Sequence, residues 1–308
     1  MQGMGSRRRK WLAAVAILIA VGVPAYHGLL KHSPSPTTPF PLDLARIRAL
    51  AGSIPGDRPT AVRYEEVMAL RFAEAMVMAG DPWKETPMPV YAWQLVFPGQ
   101  TLIVDTAVAR ADSKPEFLVL HYDDAAYGRM NAAMASAAQI VITHEHMDHI
   151  GGIAAHPQLA QLRPALRLTA EQLANRWGMR PVTLPEQPLA GYEPLRYEGL
   201  HALAPGVVLI KAPGHTPGSQ MVYVQRADGR ELLLLGDVSW RLRNIQRVRE
   251  RPLLMALLIG EDRGAVIAQF AALDELTQRE PGIALVPGHD RPAVEALTAG
   301  GMLQKGFR

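Results

Sequence analysis

The sequence contains no cysteine, which excludes disulfides, thiolate-held metals, iron–sulfur clusters and cysteine nucleophiles. Any metal must therefore sit on imidazole and carboxylate. The lack of thiols is compatible with an oxidising compartment without requiring one. Aromatic residues are sparse, at 6%, too few to build stacking platforms for single-stranded nucleic acid. Charge of one sign is lacking too. The formal net charge is +3, but Arg7, Arg8, Arg9, Lys10 and Lys31 all precede the first acidic residue, and setting them aside leaves 27 basic against 29 acidic side chains. A body so near neutrality offers no sustained cationic surface, so no nucleic-acid partner is expected. Apolar residues are plentiful, 48% of 308, enough for a large core and one or two domains.

The apolar residues are unevenly spread. Arg7 to Lys10 form a cationic head, followed by an uncharged run from Trp11 to Val23 with no polar face, the pattern of a secretory signal. Two outcomes are open for residues 1–30: cleavage after Ala25, or retention of Trp11 to Leu30 as a membrane anchor of spanning length. Either places the remainder across the cytoplasmic membrane, in a periplasmic or other extracytoplasmic space, because positive residues stay inside. Residues 31–41 (KHSPSPTTPFP) carry four prolines and read as a stiff spacer lifting the domain off the membrane.

Residues 42–87 read as a helical extension, with helical spacing over Leu42 to Ala51 and over Ala61 to Ala79, the latter closed by Gly80, Asp81 and Pro82. Strands follow. Tyr91 to Phe97 and Thr101 to Asp105 flank Pro98-Gly99-Gln100 as a hairpin, and further strands are expected at Glu116 to His121, Gln139 to Thr143, Val207 to Ala212, Met221 to Gln225, Glu231 to Leu235 and Ile283 to Val286. A long helix is expected from about Arg263 to Arg279. The mixture is α/β or α+β, with one domain over 88–308.

The informative residues stand just past strand ends. After the strand Gln139 to Thr143 come His144-Glu145-His146-Met147-Asp148-His149 and then Gly151-Gly152. In extended backbone, residues two apart point the same way, so His144 and His146 can grip one ion, while a chain turning into a helix swings Asp148 and His149 toward a second position. Three later segments repeat the arrangement: Pro213-Gly214-His215-Thr216-Pro217-Gly218-Ser219, Gly236-Asp237, and Pro287-Gly288-His289-Asp290. Each potential ligand sits beside glycine at a strand end, where open sheets place their sites.

In these four ordered motifs the chain resembles the metallo-β-lactamase-fold hydrolases, over roughly residues 88 to 295. The resemblance implies an αβ/βα four-layer sandwich, two mixed β-sheets with helices outside, and a dinuclear centre on one edge. Carried onto matching positions, one metal takes His144, His146 and His215, the other takes Asp148, His149 and His289, and Asp237 bridges them. Zinc is the expected ion, with iron or manganese compatible. Two divalent ions against the carboxylates of Asp148 and Asp237 and a hydroxide leave residual positive charge. Such a pair lowers the pKa of a shared water from ~15.7 toward ~7. A metal-bridging hydroxide attacking the carbonyl of a small-molecule lactone, ester or thioester is then the expected reaction, with Asp148 shuttling the proton. Alternatives are a β-lactamase of the histidine-only type, a phosphodiesterase, or a non-catalytic metal-containing binding module.

Several residues carry less definite expectations. Lactonases of quorum signals place a tyrosine three residues after the bridging aspartate; here that position is Trp240, whose indole cannot donate as a phenol does. Arg241, Arg243, Arg247, Arg249 and Arg251 read as a solvated helix face, or as a rim for anionic substrates or lipid headgroups. Pro252 to Ile259 read as a buried apolar segment. Asp105 is either a partner to the metal ligands or a turn residue. Tyr122, Tyr127 and Tyr223 are candidate proton donors, and His121, His156 and His201 are expected to be structural or superficial.

Overall fold

The computed structural model describes residues 3–36 and 38–308; Met1, Gln2 and Thr37, which fall in the signal segment and the spacer, lie outside the described residues. Two sheets form the body. The first has strands β1 (Ala61–Ala73), β2 (Glu85–Phe97), β3 (Gln100–Val104), β4 (Val119–Tyr122) and β5 (Gln139–Val141). The second has β6 (Leu200–Ala204), β7 (Val207–Lys211), β8 (Gln220–Gln225), β9 (Glu231–Gly236) and β10 (Ile283–Pro287). β11 (Gln304–Lys305) returns to the first sheet. The spatial orders are β11-β1-β2-β3-β5, with β4 beside β1, and β10-β9-β8-β7-β6. The β3/β5 and β9/β10 pairs are parallel and the β1/β2 and β7/β8 pairs antiparallel, so both sheets are mixed.

Between the sheets lies an apolar layer that includes Leu95, Val104, Val141, Leu209, Val222 and Leu234. On the outer face of the first sheet, Ile103 and Ile140 pack with Met130, Met134 and Ile150 from the helices Asp124–Ser136 and Met147–Ala154. On the outer face of the second, Val208, Tyr223 and Leu233 pack with Ile47 and Phe270 from the helices Leu44–Ala51 and Arg263–Arg279. Each sheet is thus covered on both faces, which gives the four layers αβ/βα and explains why its strands read as continuous apolar runs.

The stretch 61–79 departs from the helical expectation. It forms the thirteen-residue strand β1 followed by one short turn, Glu74–Val77. A register shift between Glu66 and Met68 interrupts the period-two alternation, and burial on both faces removes the polar positions that would reveal it. Residues 42–87 are therefore part of the sandwich: Leu44–Ala51 covers the second sheet, and β1 pairs with β2 on one side and with β4 and β11 on the other in the first. Likewise, Glu116–Leu118 is a single 3-10 turn before β4 rather than strand.

The N-terminal helix runs from Gly3 to Tyr26 and continues as a wider turn over His27–Lys31. Its apolar stretch Lys10–Lys31 is long enough to cross a membrane. The spacer expectation is corrected here. Leu30 is buried against the domain, and residues 30–33 hydrogen-bond directly to it, because the prolines begin only at Pro34 and leave the preceding backbone groups free to pair.

Candidate metal centre

All seven predicted residues meet at one edge of the sandwich, delivered by the carboxyl ends of strands in both sheets. β5 runs into the loop carrying His144 and His146, and the helix Met147–Ala154 then presents Asp148 and His149. The loop after β7 brings His215, β9 ends at Gly236 before Asp237, and β10 ends at Pro287 before His289. Two of these turns demand glycine. Gly236 has φ +51°, and a Cβ on Gly288 would lie 2.4 Å from Asp237 Oδ1, so only glycine lets that carboxylate sit against the β10 turn.

The seven residues fall into two groups: His144, His146, His215 and Asp237 in one, and Asp148, His149 and His289 in the other, each with its donor atoms within 4.8 Å of one another. Asp237 faces both. Its Oδ2 lies 3.3 Å from His215 Nε2 and 3.7 Å from His144 Nε2. Its Oδ1 lies 3.0 Å from His289 Nε2 and 3.3 Å from His149 Nε2, while the His289 Nε2 hydrogen bond goes to Oδ2 at 3.2 Å. Asp148 Oδ2 stands 3.7 Å from His289 Nε2 and 3.8 Å from His149 Nε2. His146 Nδ1 is 3.0 Å from His215 Nε2.

These residues fit cations better than they fit one another. His144 Nε2, His149 Nε2 and Asp237 Oδ1 are buried and make no hydrogen bond, a costly condition for polar atoms. Five imidazoles and two carboxylates, one of them facing both groups, are all nitrogen and oxygen donors and make the donor set of a dinuclear divalent-metal centre. Burial pushes the His144 and His146 imidazoles well below the ordinary histidine value, with neighbouring His149 and His215 adding to it. Their neutral form is the one that ligates metal. Asp237 stays ionised: burial opposes its charge, but His289, His149 and His144 outweigh it and hold the carboxyl well below the usual range.

A second layer fixes the imidazoles, and much of it escapes sequence reading. His149 Nδ1 lies 2.9 Å from Asp105 Oδ2, which assigns the proton to Nδ1 and leaves Nε2 free for a cation. Asp105 itself has φ +59° and accepts from the Thr143 backbone N–H at 2.6 Å. His289 Nδ1 is 2.6 Å from Pro89 O. His215 Nδ1 is 2.9 Å from Glu261 Oε2, and Glu261 is in turn paired with Arg251 in full burial. Glu145, between the two candidate ligand histidines His144 and His146, accepts from Asn175 Nδ2 at 2.6 Å and Thr216 Oγ1 at 2.8 Å. It thereby clamps the His144 loop to the His215 loop. Its one signal in sequence is a carboxylate inside an otherwise ligand-bearing run. Asp105 is thus a partner of a candidate ligand as well as a turn residue.

The Arg241–Arg251 cluster is not a helix face. Arg241 donates to Thr86 Oγ1, Arg243 pairs with Asp81, Arg249 donates to Lys31 O, and Arg251 is wholly buried. Short-range turns around the five-residue helix Leu242–Gln246 point them in different directions. Tyr122 donates to Val108 O and Tyr223 to Glu231; neither these nor Tyr127 lines the pocket over the centre. His121 is exposed, and His156 Nδ1 accepts from the Gln158 N–H.

That pocket has a volume of about 500 Å³. Asp148, Asp237, His146 and His289 form its floor; Phe72, Met88, Trp240, Met255, Leu258 and Ile259 give it apolar walls, with Lys114 and Arg180 at the side. A larger cavity of about 630 Å³ behind Trp177 and Arg180 contains none of the seven residues.

The sequence pattern of the metallo-beta-lactamase superfamily matches residues 86–289. The chain belongs to that superfamily. Among superfamily members, a probable metallo-hydrolase of Mycobacterium tuberculosis is 28% identical over 196 residues, 58% of this chain and 62% of its own length. An N-acyl homoserine lactonase of Bacillus thuringiensis is 27% identical over 151 residues, 49% of this chain and 55% of its own. The matched regions thus span little more than half the length of these curated relatives. The crystal structure of a quorum-quenching N-acyl homoserine lactone hydrolase superposes with TM-score 0.62 at 19% identity, covering 78% of this chain and 96% of that one. At that identity the likeness is one of fold.

Proposed function

We propose that the protein is a dinuclear metal-dependent hydrolase, exported or membrane-anchored, that opens lactones or cleaves related esters. The observation carrying this reading is the position of Asp237 between the two groups: one carboxylate oxygen faces His144 and His215, the other faces His149, and His289 lies within 3.2 Å of both. His144, His146 and His215 would hold one cation and Asp148, His149 and His289 the other, with Asp237 available to both; zinc suits this set of imidazole and carboxylate donors. Cations bound there supply an activated water at neutral pH and polarise the substrate carbonyl.

The chain's own residues do the rest. The apolar walls of Phe72, Met88 and Met255 hold an alkyl or acyl group and exclude water around the scissile bond. Asp148, the most exposed of the site's carboxylates at 16% of its side chain, takes the proton of the attacking water and returns it to the leaving oxygen. Trp240 donates its indole N–H to Asp237 Oδ2, so it orients the shared carboxylate rather than the substrate oxygen. The Bacillus relatives named as lactonases support a lactone substrate. The superfamily's histidine-only chemistry requires no thiolate, in keeping with a chain that has none.

The test is a panel of lactones, thioesters, β-lactams and phosphodiesters assayed with purified protein whose metal content is measured. Turnover on lactones or esters that disappears with chelation and returns with zinc is expected. Turnover confined to phosphodiesters or β-lactams would reject the substrate class, and no turnover on any substrate with both cations bound would reject the enzyme.

A further inference from the structure

The N-terminal helix does not end in a slack tether. Its membrane-length stretch, Lys10–Lys31, carries no buried surface over its apolar window, yet its last turn and the two residues after it are fastened to the domain by five hydrogen bonds. Gly80 N donates to Leu30 O at 2.9 Å, Lys31 Nζ to Gly80 O at 3.0 Å, Arg249 to Lys31 O at 2.7 Å, Arg263 to His32 O at 2.7 Å and Ser33 Oγ to Glu250 Oε2 at 2.5 Å.

The element packed against His27–Lys31 is the helix Leu253–Ile259, which is also a wall of the pocket through Met255, Leu258 and Ile259. The same short helix leaves Leu257 67% and Leu258 59% exposed, so the expected buried segment is buried on one side only. Exposed aromatic rings occur at this lip and on the segments joined to it. Trp177, 55% exposed, also lines the pocket; Trp83, 59% exposed, stands three residues past Gly80; Tyr26, 43% exposed, closes the helix. Tryptophan and tyrosine are the residues enriched where a bilayer meets water, and unpartnered leucines on a short helix are apolar surface that water does not favour. The contacts of His27–Lys31 with this short helix hold the end of the membrane-length helix beside the exposed Leu257 and Leu258.

We propose that this face is a membrane-docking surface. The helix Leu253–Ile259 lies in the headgroup boundary of the bilayer that the N-terminal helix spans, the pocket mouth opens onto lipid, and the substrate is an amphiphile whose apolar chain is partitioned in the membrane. The proposal rests on the anchored-hydrolase reading above. It replaces a domain held off the membrane by one held against it, and it explains why the pocket walls are apolar out to the lip.

Because the chain has no cysteine, a single introduced one is uniquely labelled. Leu257→Cys and, as control, Gln100→Cys at the end of β3 opposite Asp105 are each coupled to a nitrobenzoxadiazole probe. The full chain is then reconstituted in phosphatidylcholine–phosphatidylglycerol vesicles containing brominated lipid. A blue shift and strong quenching at position 257, with neither at position 100, are expected. Equal signals at both positions, or protein recovered outside the vesicles, would overturn the docking surface. A second measurement uses Leu257→Asp, outside the pocket lining. Its turnover of a soluble short-chain lactone stays within about twofold of wild type, while turnover of a long-chain lactone embedded in vesicles falls at least about tenfold. An equal fall on both substrates would overturn the proposal. Absence of any lactone turnover in the wild type would sink the substrate reading while leaving the quenching result to decide the docking surface.

Discussion

The indole N–H of Trp240 donates to Asp237 Oδ2 across 2.6 Å, while the guanidinium of Arg251 lies 4.7 Å from the centre of the Trp240 ring. Trp240 is thereby pinned between a buried cation and the carboxylate that faces both halves of the centre. Indole is a donor only, so this bond fixes which Asp237 lone pairs remain for cations.

Trp240→Phe keeps the ring's packing and removes the donor. Metal affinity, measured by competition with a chromophoric chelator, is expected to drop about 10- to 100-fold, the usual cost of losing a partner of a ligating group. The melting temperature of the metal-free protein should change little. Unchanged affinity would mean that Asp237 is positioned by the Gly288 turn alone.

Arg251 and Glu261 form an ion pair with both side chains fully buried, and Glu261 also holds His215 Nδ1. Burial disfavours the Glu261 charge, but Arg251 and then His215 keep its carboxyl below the ordinary value. Arg251→Ala strands that carboxylate and should cost about 3–5 kcal/mol of unfolding free energy in urea. The double variant Arg251→Met/Glu261→Gln should recover most of the loss in stability without restoring tight metal binding.

At Asp105 the backbone has φ +59°, a conformation asparagine also tolerates. Asp105→Asn therefore isolates the carboxylate's role in fixing the His149 tautomer. Binding of the second cation, resolved from the first by calorimetric titration, should weaken about 10- to 100-fold, with the first equivalent unaffected. Equal weakening of both would show that the two positions fill as one unit.

On the far side of the second sheet, Arg48 of the helix Leu44–Ala51 makes a two-pronged bond to Glu231, at 2.9 and 2.6 Å. That bond, assisted against burial by the Tyr223 hydroxyl and the charge of Arg58, lowers the Glu231 carboxyl below its ordinary 4.5. A carboxyl depressed in the folded state adds stability above its unfolded value and loses it as pH falls through the folded one. Arg48 is 38% exposed along its side chain, so solvent screening limits the contribution to about 1 kcal/mol. Wild type should exceed Glu231→Gln by about that amount in urea unfolding at pH 7, and the gap should close as the pH drops below about 4.5. A gap that is constant with pH would assign the effect to packing.

The ligand residues were legible in the sequence because each sits at a fixed offset from a strand end and beside glycine, a local signal that survives without knowledge of the fold. The sandwich itself was legible only through the resemblance those residues carry. β1 was hidden for a physical reason: its register shift at Glu66 and Met68 and its burial on both faces mimic helical spacing. The partners of the ligands were hidden for another. Arg251, Glu261 and Trp240 act through tertiary proximity, and an arginine destined for full burial looks in sequence like any member of the basic run from Arg241 to Arg251. The docking of Leu30 to Ser33 was obscured by the prolines that follow, which suggested stiffness without showing where the chain first touches the domain.

The most direct test of the dinuclear centre is metal content by inductively coupled plasma mass spectrometry, read alongside lactone turnover, for the wild type and Asp237→Ala. The wild type is expected to carry two divalent ions per chain and to hydrolyse substrate, and the variant to lose turnover together with at least one ion. Full turnover by protein carrying fewer than two ions, or by Asp237→Ala, would contradict the account.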